Sequence, residues 1–371
     1  MNLDSIYGAA PYYTYKFSPE SLPFFETSGL FKVNQIEDEA HDLPRETRGG
    51  QAVAIIPEVR NDENQIIAQF HLLFLRLHNK LLKQKIAANA LEARIYTTLL
   101  FQLLVIEDFL PRIITKRVHE HLFNKNQYPI DDLLFSHYNS VSPFCFIPTL
   151  FSHATWRYGH STVRSNYHLD GSPRAPRISS LIKRNEAIPK SNQIYWSAFF
   201  EAGQPAFAID TNLSIYMNHL SSNYSADNIV SLNIDAAELF DLPSGFSIYE
   251  HMSMQNDWEE LKTKIGIQPI ETIDNTSFEG ISGLTHKNLP LWPYVLLEAE
   301  TQTGGSKLGP LGSLINATTI RKSIAGATVT VFDNEQYNFQ SALKKLGKLA
   351  ERFNTTDSLN MMNVINFINE E

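Results

Sequence analysis

The chain has 371 residues, of which 43% are hydrophobic, 11% aromatic and 19% charged. That is the balance of a globular protein with ample apolar material for one large domain or two ordinary ones. A net charge of −9 argues against nucleic acid as a main partner, since phosphate binding needs a basic face, and a single cysteine, Cys145 in "SPFCFIPTLF", excludes an internal disulfide framework and reads as a small core residue.

The first residues, "MNLDSIYGAA", contain neither a basic nor an apolar leader region, so no signal peptide is expected and a cytoplasmic location is the default. No transmembrane segment is expected either, because the longest apolar runs, "HLLFLRLHNKLL" and "YTTLLFQLLVIEDFL", are interrupted by charge. Asn-x-Ser/Thr triplets at Asn212, Asn223, Asn275, Asn316 and Asn354 carry no meaning without a secretory context. Residues 1–60 read as irregular, with "RETRGGQ" a loop. From Asn61 a long helix is expected, because Ile66, Ile67, Phe70, Phe74 and Leu77 recur at helical spacing. Asp62 and Glu63 would lie in its first turn, favourable to the helix dipole. A second helix runs over 88–108 and ends where Pro111 breaks the pattern. The stretch 123–145 is loop-rich, a third helix covers 147–165, and the turn formers of "NYHLDGSPRAPRISSLIKRNEAIPKSN" follow. Short helices are expected near 195–202, 211–220 and 225–240, another within 244–265, and longer ones at 292–302 and 311–326. The best strand signal is "ATVTVF" at 327–332, and 335–371 is mixed with an amphipathic tail. With no internal repeat and no clear linker, the fold class is mostly α-helical, one domain over 1–371.

Four stretches carry chemistry. In "PEVRNDENQIIAQFHLLFLRLHNKLL", Arg60 and Glu63 sit three apart at a helix start. They read either as an ion pair or as an arginine aimed into a pocket with a carboxylate at its rim. His71 and His78, seven apart, suit core or interface positions better than a metal pair. In "WRYGHSTVRSNY", His160 lies among aromatic residues with Arg157 and Arg164, each of which should meet an acid, a carbonyl or an anionic ligand. His160 reads either as a satisfied core histidine or as a ligand to a flat anionic cofactor such as haem. In "SLNIDAAELFDLPSG", Asn233 lies in an apolar helix where a bare amide is costly. It would satisfy a backbone group, or its carbonyl would accept Nδ1–H of a metal-bound histidine. "EAETQTGGSKLGPLGS" resembles a phosphate loop only superficially, since Gly-Lys-Ser/Thr is absent. Its glycines would stop one helix and let the next begin close by.

Together, "PEVRNDENQIIAQFHLLFLRLHN", "FSHATWRYGHSTVRSNY", "SLNIDAAELFDLPSG" and "LWPYVLLEAETQTGGSKLGPLGSLI" resemble, in order, motifs of the animal-type haem peroxidase (myeloperoxidase–cyclooxygenase) superfamily in its bacterial branch. "IEDFLPRII" and "LDSIYGAAP" also fit. The resemblance implies haem b as cofactor, hydrogen peroxide as substrate and a small-molecule or lipid-like donor. His160 matches the axial iron ligand, Asn233 its hydrogen-bond partner and Arg60 the distal arginine. Glu63 matches a position that forms a haem ester in some members, and Arg157 an arginine close to the haem.

The chain also departs from the family pattern. It begins after the place where the family's distal histidine belongs, and His41 sits in no matching motif. Losing a general base costs about 10²–10⁴-fold, so impaired turnover is expected. Asn2 and Asp4 match only the tail of the calcium-ligand run, so tight calcium binding is not expected. Ala236 stands where relatives often carry an arginine that pairs with a haem propionate. Arg157 occupies the position of the radical tyrosine of fatty-acid dioxygenases, with Tyr158 one residue off, which favours a peroxidase. The alternatives are a haem-binding relic without turnover and a haem-dependent oxygenase.

Overall fold

In a computed structural model, which describes residues 1–8, 22–37, 40–124, 147–201, 203–214, 228–273, 284–334, 336–353 and 359–370, the periodic segment after Asn61 forms helix α1 (Gln65–Lys83). Asn64 caps it by accepting Ile66 N–H at 2.8 Å. Asp62 and Glu63 therefore precede the helix, and Asp62 sits in a separate 3₁₀ turn, Val59–Asp62. The buried stripe of α1 is also rotated from the expected one. Ile67 is 47% exposed, whereas Gln65 and Gln69 are buried. Their amides are satisfied from outside: Gln69 donates to Asn192 O and accepts from Ile194 N, and Gln65 accepts from Asn192 Nδ2. His71 and His78 occupy core positions on this helix. His78 donates to Gly29 O and accepts from the Tyr7 hydroxyl, and Asn61 donates to His71 Nδ1.

Helix α2 (Ala90–Leu104) begins at the cap Asn89. Pro111 does not end it abruptly. A wide π turn, Val105–Phe109, intervenes, and Pro111 falls in the first turn of the short helix Leu110–Ile113, where a missing N–H is harmless. Beyond it, Ile229–Leu239 forms α3, Leu291–Thr303 α4, Pro310–Ala325 α5 and Met361–Asn369 α6. The helix expected within 244–265 is two, Gly245–Ser253 and Trp258–Ile265. Helices α4 and α5 pack together at the centre, and α5 is buried on nearly every side. Its polar residues bond inward: Ser313 accepts Thr115 N–H, and Arg321 donates to Leu122 O. Asn316 on the same helix is fully buried, which removes that triplet from consideration.

Strands among the described residues are confined to two small antiparallel pairs, β1 (Asn34–Glu37) with β2 (Ala40–Asp42) and β3 (Arg45–Arg48) with β4 (Gln51–Ala54). "RETRGGQ" is therefore a hairpin rather than a loop, with Gly49 and Gly50 as its turn. The strand expected at 327–332 does not form. Gln102 of α2 takes its backbone groups instead, donating to Val329 O at 2.8 Å and Met1 O at 2.9 Å and accepting Val331 N–H at 3.0 Å. Cys145, nearly all of 123–145, most of 211–220, Asn223, Asn275 and Asn354 lie outside the described residues. No described helix is long and apolar enough to cross a membrane.

A buried ion triad holds the hairpin to the 3₁₀ turn that precedes α1. Arg45 reaches Asp42 at 2.7 Å and Asp62 at 2.7 Å, with all three side chains at most 5% exposed. The carboxylates are further bonded by Leu43 N, Ile188 N and Asn185 N. Removing one member of such a buried network leaves uncompensated charge. Arg45→Met should lower stability by about 3–5 kcal/mol, read as the shift in urea unfolding midpoint multiplied by the slope.

Candidate functional site

The continuous helix expected over 147–165 is broken. A helix covers Thr149–His153, Ala154 leaves helical geometry at φ −131°, ψ −79°, and a tighter 3₁₀ turn covers Thr155–His160. Tertiary bonds account for the break. Thr155 is fully buried and donates to Asn316 Oδ1 of α5 at 3.3 Å, and Arg157 O accepts the Trp292 indole N–H of α4 at 3.1 Å. In a 3₁₀ turn, residues three apart are eclipsed. Arg157 and His160 are three apart, so both side chains project on the same side, toward α3.

There they meet Asn233, which is 1% exposed. Asn233 Nδ2 donates to His160 Nδ1 at 2.9 Å, and Asn233 Oδ1 accepts from Arg157 Nη1 at 3.3 Å. Arg157 Nε also donates to Ser152 O at 3.0 Å. Each cation of this stretch finds a carbonyl, as its burial requires: Arg164 donates to Pro205 O at 2.7 Å. Burial, with Arg157 nearby, lowers the His160 pKa to about 4, so the imidazole is neutral across physiological pH.

One detail differs from the sequence expectation. The Asn233 atom that faces the imidazole is the amide nitrogen, because Arg157, which only donates, holds the carbonyl oxygen. Nδ1 is then an acceptor and the ring hydrogen sits on Nε2. A half-turn of the Asn233 amide would put Oδ1 on Nδ1–H and free Nε2 as a metal ligand, at the expense of the bond from Arg157.

Arg60 and Glu63 do not join this group. The Arg60 side chain is 76% exposed and pairs with Glu58 at 2.7 Å, not with Glu63. Glu63 lies 3.6 Å from Arg184. The ion pair read from their spacing is thus replaced by Arg60–Glu58 and Glu63–Arg184. A cleft of about 890 Å³ lies between α1, the segment 190–201 and α6, lined by Gln69, Leu72, Arg76, Trp196, Met362 and Asn366 among others. Its lining includes His41 but none of Arg60, Glu63, Arg157, His160 or Asn233. No local pattern marks this cleft in the sequence, because its walls come from four distant stretches, near 40, 69–76, 190–201 and 362–370.

The glycine-rich stretch behaves as its glycines suggest. Gly304, at φ +62°, ends α4 in the left-handed region, and Pro310 opens α5. The anion at the N-terminus of α5 is internal: Glu298, fully buried, accepts Leu311 N–H at 2.9 Å and Gly312 N–H at 3.0 Å. A Cβ on Gly309 would lie 2.3 Å from Glu298 Cγ, so only glycine lets the carboxylate approach. Sequence reasoning missed Glu298; the acid five residues upstream of the Thr-Gly-Gly helix stop was the available signal.

Residues 19–328 match the sequence profile of the family described as animal haem peroxidase. The chain belongs to that family. Among solved structures it is similar to peroxidase A from Dictyostelium discoideum, with a TM-score of 0.59 and 15% identity over 100% of this chain and 68% of that one, a likeness of fold. No curated protein sequence matches it significantly.

Burial raises the Glu298 pKa from 4.5 to about 7, against the two backbone N–H bonds. The folded-state value exceeds the unfolded one, so the folded chain holds an extra proton between them. This contribution to stability is full below about pH 4.5 and is lost as pH rises through about 7. Glu298→Gln should therefore flatten the stability–pH curve between those values, removing a slope worth about 3 kcal/mol in total, measured by urea unfolding at a series of pH values.

Proposed function

We propose that the chain is a haem b peroxidase, reducing hydrogen peroxide at the expense of a small-molecule or lipid-like donor. The observation that carries the reading is the bond between His160 and Asn233 in a chain of this family. The donor set fits the group. His160 is half-buried and neutral, its Nδ1 is engaged by Asn233, and Nε2 has no hydrogen-bond partner among the described residues.

In this reading His160 Nε2 would hold the haem iron, Asn233 would turn its carbonyl to Nδ1–H and fix ring and tautomer, and Arg157 would contribute a fixed positive charge. Bound haem supplies the two-electron chemistry that splits peroxide. Arg60 would stabilise charge on the peroxide oxygens, after exchanging Glu58 for that role, but its pKa is too high to shuttle a proton. Glu63 would offer at most one ester to the haem. Calcium is not assigned. The position of Arg60, out in solvent on Glu58, favours a second reading in which haem is bound without turnover.

Haemin titration and peroxide addition test this. Wild-type protein should develop a Soret band that His160→Ala abolishes. Asn233→Asp should keep the band and lower the iron reduction potential, because a carboxylate accepts the Nδ1 proton more strongly. A band insensitive to His160→Ala overturns the ligand assignment. A His160-dependent band that peroxide leaves unchanged selects the second reading.

A further inference from the structure

The chain has four tryptophans, and three are buried: Trp196 at 9%, Trp258 at 6% and Trp292 at 3%. Trp156 is the exception at 38%, and it lies on the same 3₁₀ turn as His160. Its indole stacks on Phe151 at 4.9 Å and 22°, and the edge of Phe109, also 38% exposed, meets it at 6.1 Å. On its inner side it meets the Tyr158 ring edge-on, at 5.8 Å and 86°. Tyr158 is 6% exposed and two residues from His160. An indole and a phenol in contact therefore span from solvent to the turn that carries His160. Indole and phenol are the aromatic side chains that give up one electron most readily. Phe109 and Trp156 also make an accessible face on which a second aromatic ring can pack.

We infer that Trp156 is a surface oxidation site for bulky phenolic donors, with Tyr158 relaying electrons between the indole and a haem held by His160. The inference rests on the peroxidase reading above. Peroxide takes two electrons and two protons and leaves as two waters. Each electron departs inward from Trp156 through Tyr158, leaving an indole radical. A phenol docked on the Trp156 face returns one electron to that radical and releases its hydroxyl proton to water. Two donors per peroxide thus become two phenoxyl radicals, and Trp156 and Tyr158 end as they began. A donor attached to a polymer needs only to touch the surface.

The test uses haem-loaded wild type, Trp156→Phe and Tyr158→Phe. Each is first given peroxide and a nitroso spin trap without donor, and adducts are located by peptide mass spectrometry. Each is then assayed with hydroquinone and with a phenol-grafted dextran. Wild type should carry the trap on Trp156 and Tyr158→Phe should carry less there. Trp156→Phe should lose about tenfold or more of the dextran rate and keep the hydroquinone rate within about twofold. Wild type without an adduct on Trp156, or a Trp156→Phe variant that oxidises dextran normally, overturns the surface site. Wild type that oxidises hydroquinone but not dextran does the same and leaves the peroxidase reading standing. Wild type that takes up no haem, or oxidises neither donor, overturns both.

Discussion

The amide of Asn233 is the point on which the candidate site depends. A single buried side chain with one donor end and one acceptor end serves two neighbours, His160 and Arg157, that the 3₁₀ turn presents in eclipse. An α-helical turn through this stretch would not align them in that way. The turn exists because Thr155 is bonded into α5 and the Arg157 carbonyl is bonded to Trp292 of α4. The site is thus an outgrowth of the central helix pair, and α3 contributes the one residue that reads the imidazole. Competition between a guanidinium and an imidazole for one carbonyl sets the tautomer of the ring. It links the electrostatics of Arg157 to the chemistry open to Nε2.

The same economy recurs through the core. Gln102, Gln69 and Glu298 each stand where a backbone group has no ladder or helix partner, and each supplies the missing bond. Buried peptide groups must be paired somehow. In a protein with little sheet, side-chain amides and a carboxylate take over that task between irregular segments. The Arg45 triad does so with full charges, tying the β3–β4 hairpin and the loop at 185–188 to the turn that leads into α1.

Much of the fold was legible because helix periodicity and capping are local signals. The starts of α1, α3 and α5 follow from Asn64, Asn228 and Pro310, close to where apolar spacing and breakers placed them. Errors arose where a distant partner decided. "ATVTVF" has β-forming residues, but a glutamine of α2 claims its backbone. The apolar run around His160 reads as one helix, but Thr155 and Arg157 are held by other elements. The pairing of His160 with Asn233, 73 residues away, was legible only through resemblance, since nothing in either stretch alone names the other. Arg60 was read by its spacing to Glu63, yet Glu58, two residues upstream and already bonded to the Arg60 backbone, is the nearer acid.

The bonds of Gln102 carry a consequence for how the molecule assembles. They join sequence positions separated by 101, 227 and 229 residues at one buried amide. Closing loops of that size is entropically unfavourable, and the penalty comes before any reward from the contact. Helix α2 and its cap can form from neighbours alone, but the junction with 329–331 has to wait until the intervening chain has folded. The seam around Gln102 is therefore expected to close late in folding, after the α4–α5 pair, whose partners are near neighbours in the chain.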